Sequence, residues 1–213
     1  MIEEMLAYNR EFVRSRGYEK FQTSKFPDKK IAILTCMDTR LVELLPAALG
    51  IRNGDVKLIK NAGGGIAIRE TAEQTKADID AIIALNLNSV IYGSGVFAEA
   101  MKQQKSGIIL NISSVCAKHA WGGWSVYAAA KAGVLAFTKG LYVELQKYGV
   151  RATCLIPASA STGFQSAAHL PETNDSLSVD DIASAVYYAA SLPERAVVEE
   201  MTVWGTSQVV EPL

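Results

Sequence analysis

The chain has 213 residues, 21 lysines and arginines against 22 aspartates and glutamates, a net charge of −1, 49% hydrophobic and 20% charged residues. This composition supports a sizeable apolar core, and without a basic block it excludes an electrostatic footprint for nucleic acid or an anionic membrane. No apolar run approaches the roughly 20 residues that span a bilayer, and the opening MIEEMLAYNREF is acidic where a secretory signal is basic, so a cytoplasmic protein is expected. Cys36, Cys116 and Cys154 are odd in number and widely spaced, which argues against a disulfide framework. The Asn-x-Ser triplets at Asn111 and Asn174 then carry no meaning for glycosylation.

The pattern of elements begins with an amphipathic helix over 1–16, its stripe built from Ile2, Met5, Leu6, Tyr8, Phe12 and Val13. IAILTC at 31–36 is a continuous apolar run of strand length, buried on both faces. A helix over 41–50 closes at Gly50, and a second strand from about Val56 to Lys60 ends in a glycine cluster. A long helical pattern runs from 71 to 105, followed by a strand over 108–114 and a helix over 125–148. After Gly149 come the strand VRATCLIP, a helix opening near Ser178 with Asp180 and Asp181 in its first turn, and the strand EMTVWGT.

Alternating strands and helices predict an α/β fold, a three-layer Rossmann-like or flavodoxin-like domain of about five parallel strands spanning 1–213. Order 2-1-3-4-5 is expected, because order 1-2-3-4-5 with right-handed crossovers leaves one face thinly covered. That order places a topological switch point between strands 1 and 3, where the 36–40 loop faces Ser114. Gly93-Ser94-Gly95 sits inside a helical pattern and is read as easing helix packing; Trp121 and Trp124 flank a glycine pair and either line a pocket or cover a core edge.

Residues 106–131, SGIILNISSVCAKHAWGGWSVYAAAK, set Ser114 thirteen positions before Tyr127 and Tyr127 four before Lys131. Tyr127 and Lys131 at i and i+4 share a helix face, where an ammonium lowers a phenol's pKa. This stretch resembles the short-chain dehydrogenase/reductase family. The resemblance implies that Tyr127 exchanges a proton with the substrate oxygen, Ser114 orients that oxygen, Lys131 also binds the nicotinamide ribose, and Asn86 completes a proton relay. It covers about residues 61–210 and takes in Asn61-Ala62-Gly63, the Pro157–Thr162 loop and the MTVWGT ending. Catalytic Asn86, Ser114, Tyr127 and Lys131 and cofactor-contacting Asn61, Gly63, Tyr127, Lys131 and Thr162 are what it implies.

The family's opening Gly-x-x-x-Gly-x-Gly turn is replaced here by Thr35-Cys36-Met37-Asp38-Thr39-Arg40. An Asp38 carboxylate repels a diphosphate where bare amides should face it, with Arg40 a partial compensation. KFPDKKIAILTCMDTRLVELLPAALGIRNGDVKLIKNAGG instead resembles the opening of a β-class carbonic anhydrase, which implies a zinc thiolate at Cys36 and a gating Asp38–Arg40 pair. The His-x-x-Cys that finishes that zinc site is missing. The chain thus reads as a hybrid, an engineered chimera of segment 1–64 with segment 65–213.

The leading expectation is a fused scaffold without the efficient activity of either parent and with no tightly bound cofactor, NAD(P) being the one to test. The alternative is an NAD(P)-dependent oxidoreductase acting on a carbonyl or alcohol. A zinc-binding protein that recruits Cys36, Cys116 and His119 comes third, and no metal site is assigned. A homodimer through the helices at 71–105 and 125–148 is expected, since both carry more apolar residues than one sheet face needs.

Overall fold

The computed structural model describes residues 11, 14–16, 31–35, 56–60, 64–161, 164 and 176–208, with 31–35 and 56–60 described by backbone alone. Most of the 1–16 helix and all of the 41–50 helix lie outside these residues. Five short apolar runs form β1 (Ile31–Thr35), β2 (Val56–Lys60), β3 (Gly107–Ile112), β4 (Val150–Pro157) and β5 (Glu200–Val203). All pairings are parallel: Ile31 lies opposite Val56 on one side and Ile108 on the other, Gly107 opposite Val150, and Cys154 opposite Glu200. The described strands therefore run β2-β1-β3-β4-β5, with the order reversing between β1 and β3. In open parallel sheets ligands bind at the carboxyl ends flanking such a reversal.

Helices cover both faces. Ile109 of β3 and Ala152, Cys154 and Ile156 of β4 pack with Val90 and Met101 of α2 (Ser89–Gln104) and Val134, Leu141 and Leu145 of α3 (Ser125–Leu145). Ile108 and Leu110 of β3 and Leu155 of β4 pack on the other side with Ala183, Val186 and Ala189 of α4 (Val179–Ser191). Strand side chains alternate between faces, so a strand buried on both reads as an unbroken apolar run. Each fully buried Ile or Leu contributes about 1.5–3 kcal/mol. Across this core runs a polar thread: Ser94 on α2 donates to Asn111 Oδ1 of β3 (3.2 Å), and Asn111 Nδ2 donates to Thr138 Oγ1 of α3 (3.0 Å).

Several boundaries differ from the sequence reading. The helix expected from residue 71 is a single 3-10 turn at Thr71–Glu73, and α1 (Lys76–Ile83) starts only after Thr75, whose hydroxyl accepts from the Asp78 amide in a capping box. A π turn at Ala84–Asn88 then separates α1 from α2. The strand expected to reach 114 stops at Ile112, and the helix expected to reach 148 ends at Leu145, with a 3-10 turn closing on Gly149. Gly149 has φ +71°, and a Cβ there would stand 2.9 Å from the Lys105 carbonyl, so only glycine fits. A Cβ on Gly95 would meet nothing within 4 Å, so the close packing expected of Gly93-Ser94-Gly95 is not seen at Gly95; Ser94 is the buried member. Taken through the π turn, the helical stretch Lys76–Gln104 is long and apolar enough by length and composition to cross a membrane, contrary to the expectation that no apolar stretch approaches that length.

Glu200 at the start of β5 joins three elements. It pairs with Lys118, just beyond the loop after β3 (2.5 Å), and with Lys139 on α3 (2.6 Å). Lys118 first, then Lys139, hold the Glu200 carboxyl below its ordinary value of 4.5. A depressed carboxyl adds stability above its unfolded pKa and loses it as pH falls through the folded one. Urea unfolding between pH 6 and pH 3 should therefore cost the wild type more stability than Glu200→Gln. The difference is expected to stay within about 1 kcal/mol, because the pairs are partly exposed. Identical pH slopes would rule out this clamp.

Candidate active site

The site is built where β3 ends. Ser113 and Ser114 follow Ile112, and the chain turns at once into a 3-10 turn, Val115–Ala117, which Ser114 caps by accepting the Cys116 amide at 3.2 Å. Ser113 is buried and binds two ways: its amide donates to the Leu155 carbonyl of β4 (2.7 Å) and its hydroxyl to the Lys131 carbonyl of α3 (2.8 Å). The residue before Ser114 is thus fastened to the helix that carries the other two residues of the motif.

On α3, Tyr127 and Lys131 stand one turn apart and are both buried, 7% and 2% exposed. Lys131 Nζ lies 5.6 Å from the Tyr127 ring centroid, within cation–π range, and donates to the Ile112 carbonyl at 3.4 Å. A buried lysine head needs such partners, because taking it out of water costs several kcal/mol. The structure thus places Tyr127, Lys131 and, through Ser113, Ser114 on one rigid frame of β3 and α3.

Asn86 sits on the π turn, wholly buried, with its amide fully engaged. Oδ1 accepts the Gly64 amide (3.0 Å), and Nδ2 donates to the carbonyls of Gly64 (3.2 Å) and Ile82 (3.0 Å). Its side chain thus ties the backbone that follows β2 to this helical turn. A Cβ on Gly64 would come within 2.9 Å of Leu85 Cδ2, so a side chain there would require the end of Leu85 to shift. A π turn of this kind offsets the helix by one residue and recurs at functional sites.

Rings close over the phenol. Tyr127 meets Trp124 edge-on (5.4 Å, 75°) and Phe164 likewise (5.8 Å, 63°), while Trp124 and Phe164 lie nearly parallel (6.1 Å, 13°). Trp121 instead packs on the core and beside His119. Phe164 escaped the sequence reading; no local periodicity marks it, and its contact bridges nearly 40 positions.

Of the residues in the zinc reading, Cys116 and His119 are described and Cys36 is not. Cys116 is raised above its ordinary value chiefly by burial, with Ser114 and Lys131 pulling the other way, and burial pushes Cys154 up to about 11. No group of three His, Cys, Asp or Glu placed to hold a metal occurs among the described residues. Cys36, Asp38, Arg40, Asn61, Gly63 and Thr162 lie outside them.

A model of the short chain dehydrogenases matches residues 42–172. The chain belongs to the short-chain dehydrogenase family. Among its relatives, the uncharacterised oxidoreductase SA2266 of Staphylococcus aureus (strain N315) is 31% identical over 150 residues, 70% of this chain and 64% of that protein. The N-terminal segment matches a second group: the carbonic anhydrase-like YtiB of Bacillus subtilis (strain 168) is 65% identical over 63 residues, 30% of this chain and 34% of that protein. The chain thus spans only about a third of YtiB and less than two thirds of SA2266. It is a hybrid by similarity, and the short-chain dehydrogenase match begins at residue 42, well before the expected joint between 64 and 65.

Solved structures share the Rossmann-like fold. The alcohol dehydrogenase of the archaeon Thermococcus sibiricus complexed with 5-hydroxy-NADP has a TM-score of 0.71 at 19% identity, covering 86% of this chain and 99% of that one. Serine dehydrogenase from Escherichia coli has a TM-score of 0.65 at 17% identity, covering 84% and 100%.

Asn86→Ala would leave the Gly64 amide without this acceptor and two carbonyls without their donor. Urea denaturation should show a loss of about 1–3 kcal/mol. Unchanged stability would mean that Asn86 does not hold the segment after β2.

Proposed function

We propose that this protein is an NAD(P)-dependent short-chain oxidoreductase that interconverts a carbonyl and an alcohol through Ser114, Tyr127 and Lys131. The observation that carries the reading is the single frame on which those residues sit: Ser113 bonded to the Lys131 carbonyl, Lys131 beneath the Tyr127 ring, and Ser114 next in line. Membership of the family and the NADP derivatives named with structural neighbours such as the Thermococcus sibiricus enzyme support the same reading.

The described residues fit the nicotinamide end of such a coenzyme. Lys131 and Tyr127 are the groups that would hold its ribose, with Asn61, Gly63 and Thr162 assigned to it from sequence. Bound there, the reduced coenzyme supplies a hydride. The chain's own part is the proton. The Tyr127 hydroxyl delivers a proton to the carbonyl oxygen during reduction and takes it back during oxidation. Ser114 Oγ donates a hydrogen bond that fixes that oxygen, and Lys131 favours the phenolate left behind.

The sequence TCMDTR at 35–40 is where affinity should depart from the family's, since an acidic side chain replaces amides that would face the diphosphate. The scaffold reading, a chimera lacking efficient activity, is the competing outcome of the same experiment.

The apolar outer faces of α2 and α3 suit a homodimer. Tyr92 (72% exposed), Val96 (69%) and Val143 (63%) lie uncovered there, and only 28% of the most apolar window of Lys76–Gln104 is buried. Light scattering should give a particle of two 22.9 kDa chains, and Val96→Lys should shift it to one. A monomeric wild type at micromolar concentration would refute this assembly.

The activity test is a fluorescence titration with NADPH and NADH, followed by turnover with carbonyl substrates. Saturable binding is expected, with coenzyme oxidation lost in Tyr127→Phe while binding persists. The general-acid contribution is typically 10²–10⁴-fold. No saturable binding of either nucleotide would overturn the reading in favour of the scaffold.

A further inference from the structure

Lys131 is held at both ends by two consecutive residues at the end of β3. Its ammonium donates to the Ile112 carbonyl at 3.4 Å, and its backbone carbonyl accepts the Ser113 hydroxyl at 2.8 Å. Inside an α-helix a carbonyl already accepts the amide four residues on, so a second donor is not needed to satisfy it. What the Ser113 bond adds is a fixed distance between strand and helix. Ser113 is itself 3% exposed, and its amide donates to the Leu155 carbonyl of β4 at 2.7 Å, so the hydroxyl reaches α3 from a backbone anchored in the sheet.

We infer that Ser113 is a positioning residue, whose hydroxyl sets the separation of α3 from β3 and so keeps the Lys131 ammonium over the Tyr127 ring. This rests on the oxidoreductase reading and adds to it a residue that acts through Lys131. The geometry leaves little slack. Hydrogen bonds of this type cluster at roughly 2.7–3.2 Å, so the 3.4 Å contact of Lys131 Nζ with Ile112 is already long. A slight recoil of α3 removes it and frees the ammonium, 5.6 Å from the ring centroid, to leave the ring. Among the described residues, Lys131 acts electrostatically on Cys116, on the turn after β3, and on Cys154 of β4, and it faces the Tyr127 ring on its own helix; burial raises both thiols. The phenol is the group whose ionisation reports where the ammonium stands. An ammonium drawn off the ring stabilises the phenolate less, and the phenol then ionises at higher pH.

The test follows the Tyr127 Cζ resonance by NMR on protein carrying isotope-labelled tyrosine, assigned by its absence from Tyr127→Phe, in an alkaline titration without coenzyme. Ser113→Ala should raise the midpoint by about 0.5 pH unit or more, roughly a threefold change in the ionisation constant. Ser113→Thr keeps a hydroxyl and should restore the wild-type course. Ser178→Ala removes the side-chain cap of α4, on the opposite face of the sheet, and should lower the melting temperature while leaving the midpoint unmoved. Circular dichroism reports folding, and Ser113→Cys, a weaker donor, stands in for Ser113→Ala if the latter does not fold. The same pH course in Ser113→Ala and wild type overturns the inference, as does an equal shift in Ser178→Ala or in folded Ser113→Thr. The two readings separate cleanly: a shifted phenol in a protein that binds no nucleotide defeats the oxidoreductase reading alone, and coenzyme turnover with an unshifted phenol in Ser113→Ala defeats this one alone.

Discussion

A lysine buried to 2% exposure is the constraint on which the site depends. Such a head group stays inside only if the elements around it are held in register, and here the holding is mutual. The Ile112 carbonyl and the Tyr127 ring face Lys131 Nζ, while Ser113 grips the Lys131 backbone from the strand side. Because one hydrogen bond is made by the residue next to Ser114 and another by the residue two before it, moving β3 against α3 would break both. The same contacts that make the lysine tolerable therefore fix the serine relative to the phenol.

The core is arranged to keep that register. β3 and β4 are covered on both faces, so neither can tilt without opening apolar contacts on one side. The buried Ser94–Asn111–Thr138 thread adds direction, since hydrogen bonds specify an alignment that apolar packing leaves free. At the other edge of the site Asn86 carries out the same task for Gly64, 22 residues away. These buried polar groups, Ser94, Asn111, Thr138 and Asn86, act as registers between elements.

Much of this was legible in the residues themselves. Alternating apolar runs and helical periodicities carry the α/β class. The Ser114, Tyr127 and Lys131 spacing carries the site, because an i, i+4 pair on a helix must share a face. What escaped is what depends on partners distant in sequence. The π turn at Ala84–Asn88 exists where Asn86 reaches Gly64, and helical periodicity has no term for that bond. The ring of Phe164 sits against Tyr127 through tertiary contact alone. The Gly93-Ser94-Gly95 triplet misled for the opposite reason: small residues look alike in sequence whether they face a neighbour or open space, and Gly95 faces open space.

The hybrid character of the chain follows a line that the sheet itself draws. β1 joins the sheet by backbone pairing, Ile31 opposite Val56 and Ile108, and ladder hydrogen bonds come from main-chain groups that every non-proline residue carries. An apolar strand of suitable length from another family can therefore occupy that position without disturbing the β3–α3 frame, where Ser113, Lys131 and Tyr127 make side-chain contacts of their own. The side-chain contacts that fix Ser113, Lys131 and Tyr127 all lie in the second segment, so they do not depend on which family supplies the first strand.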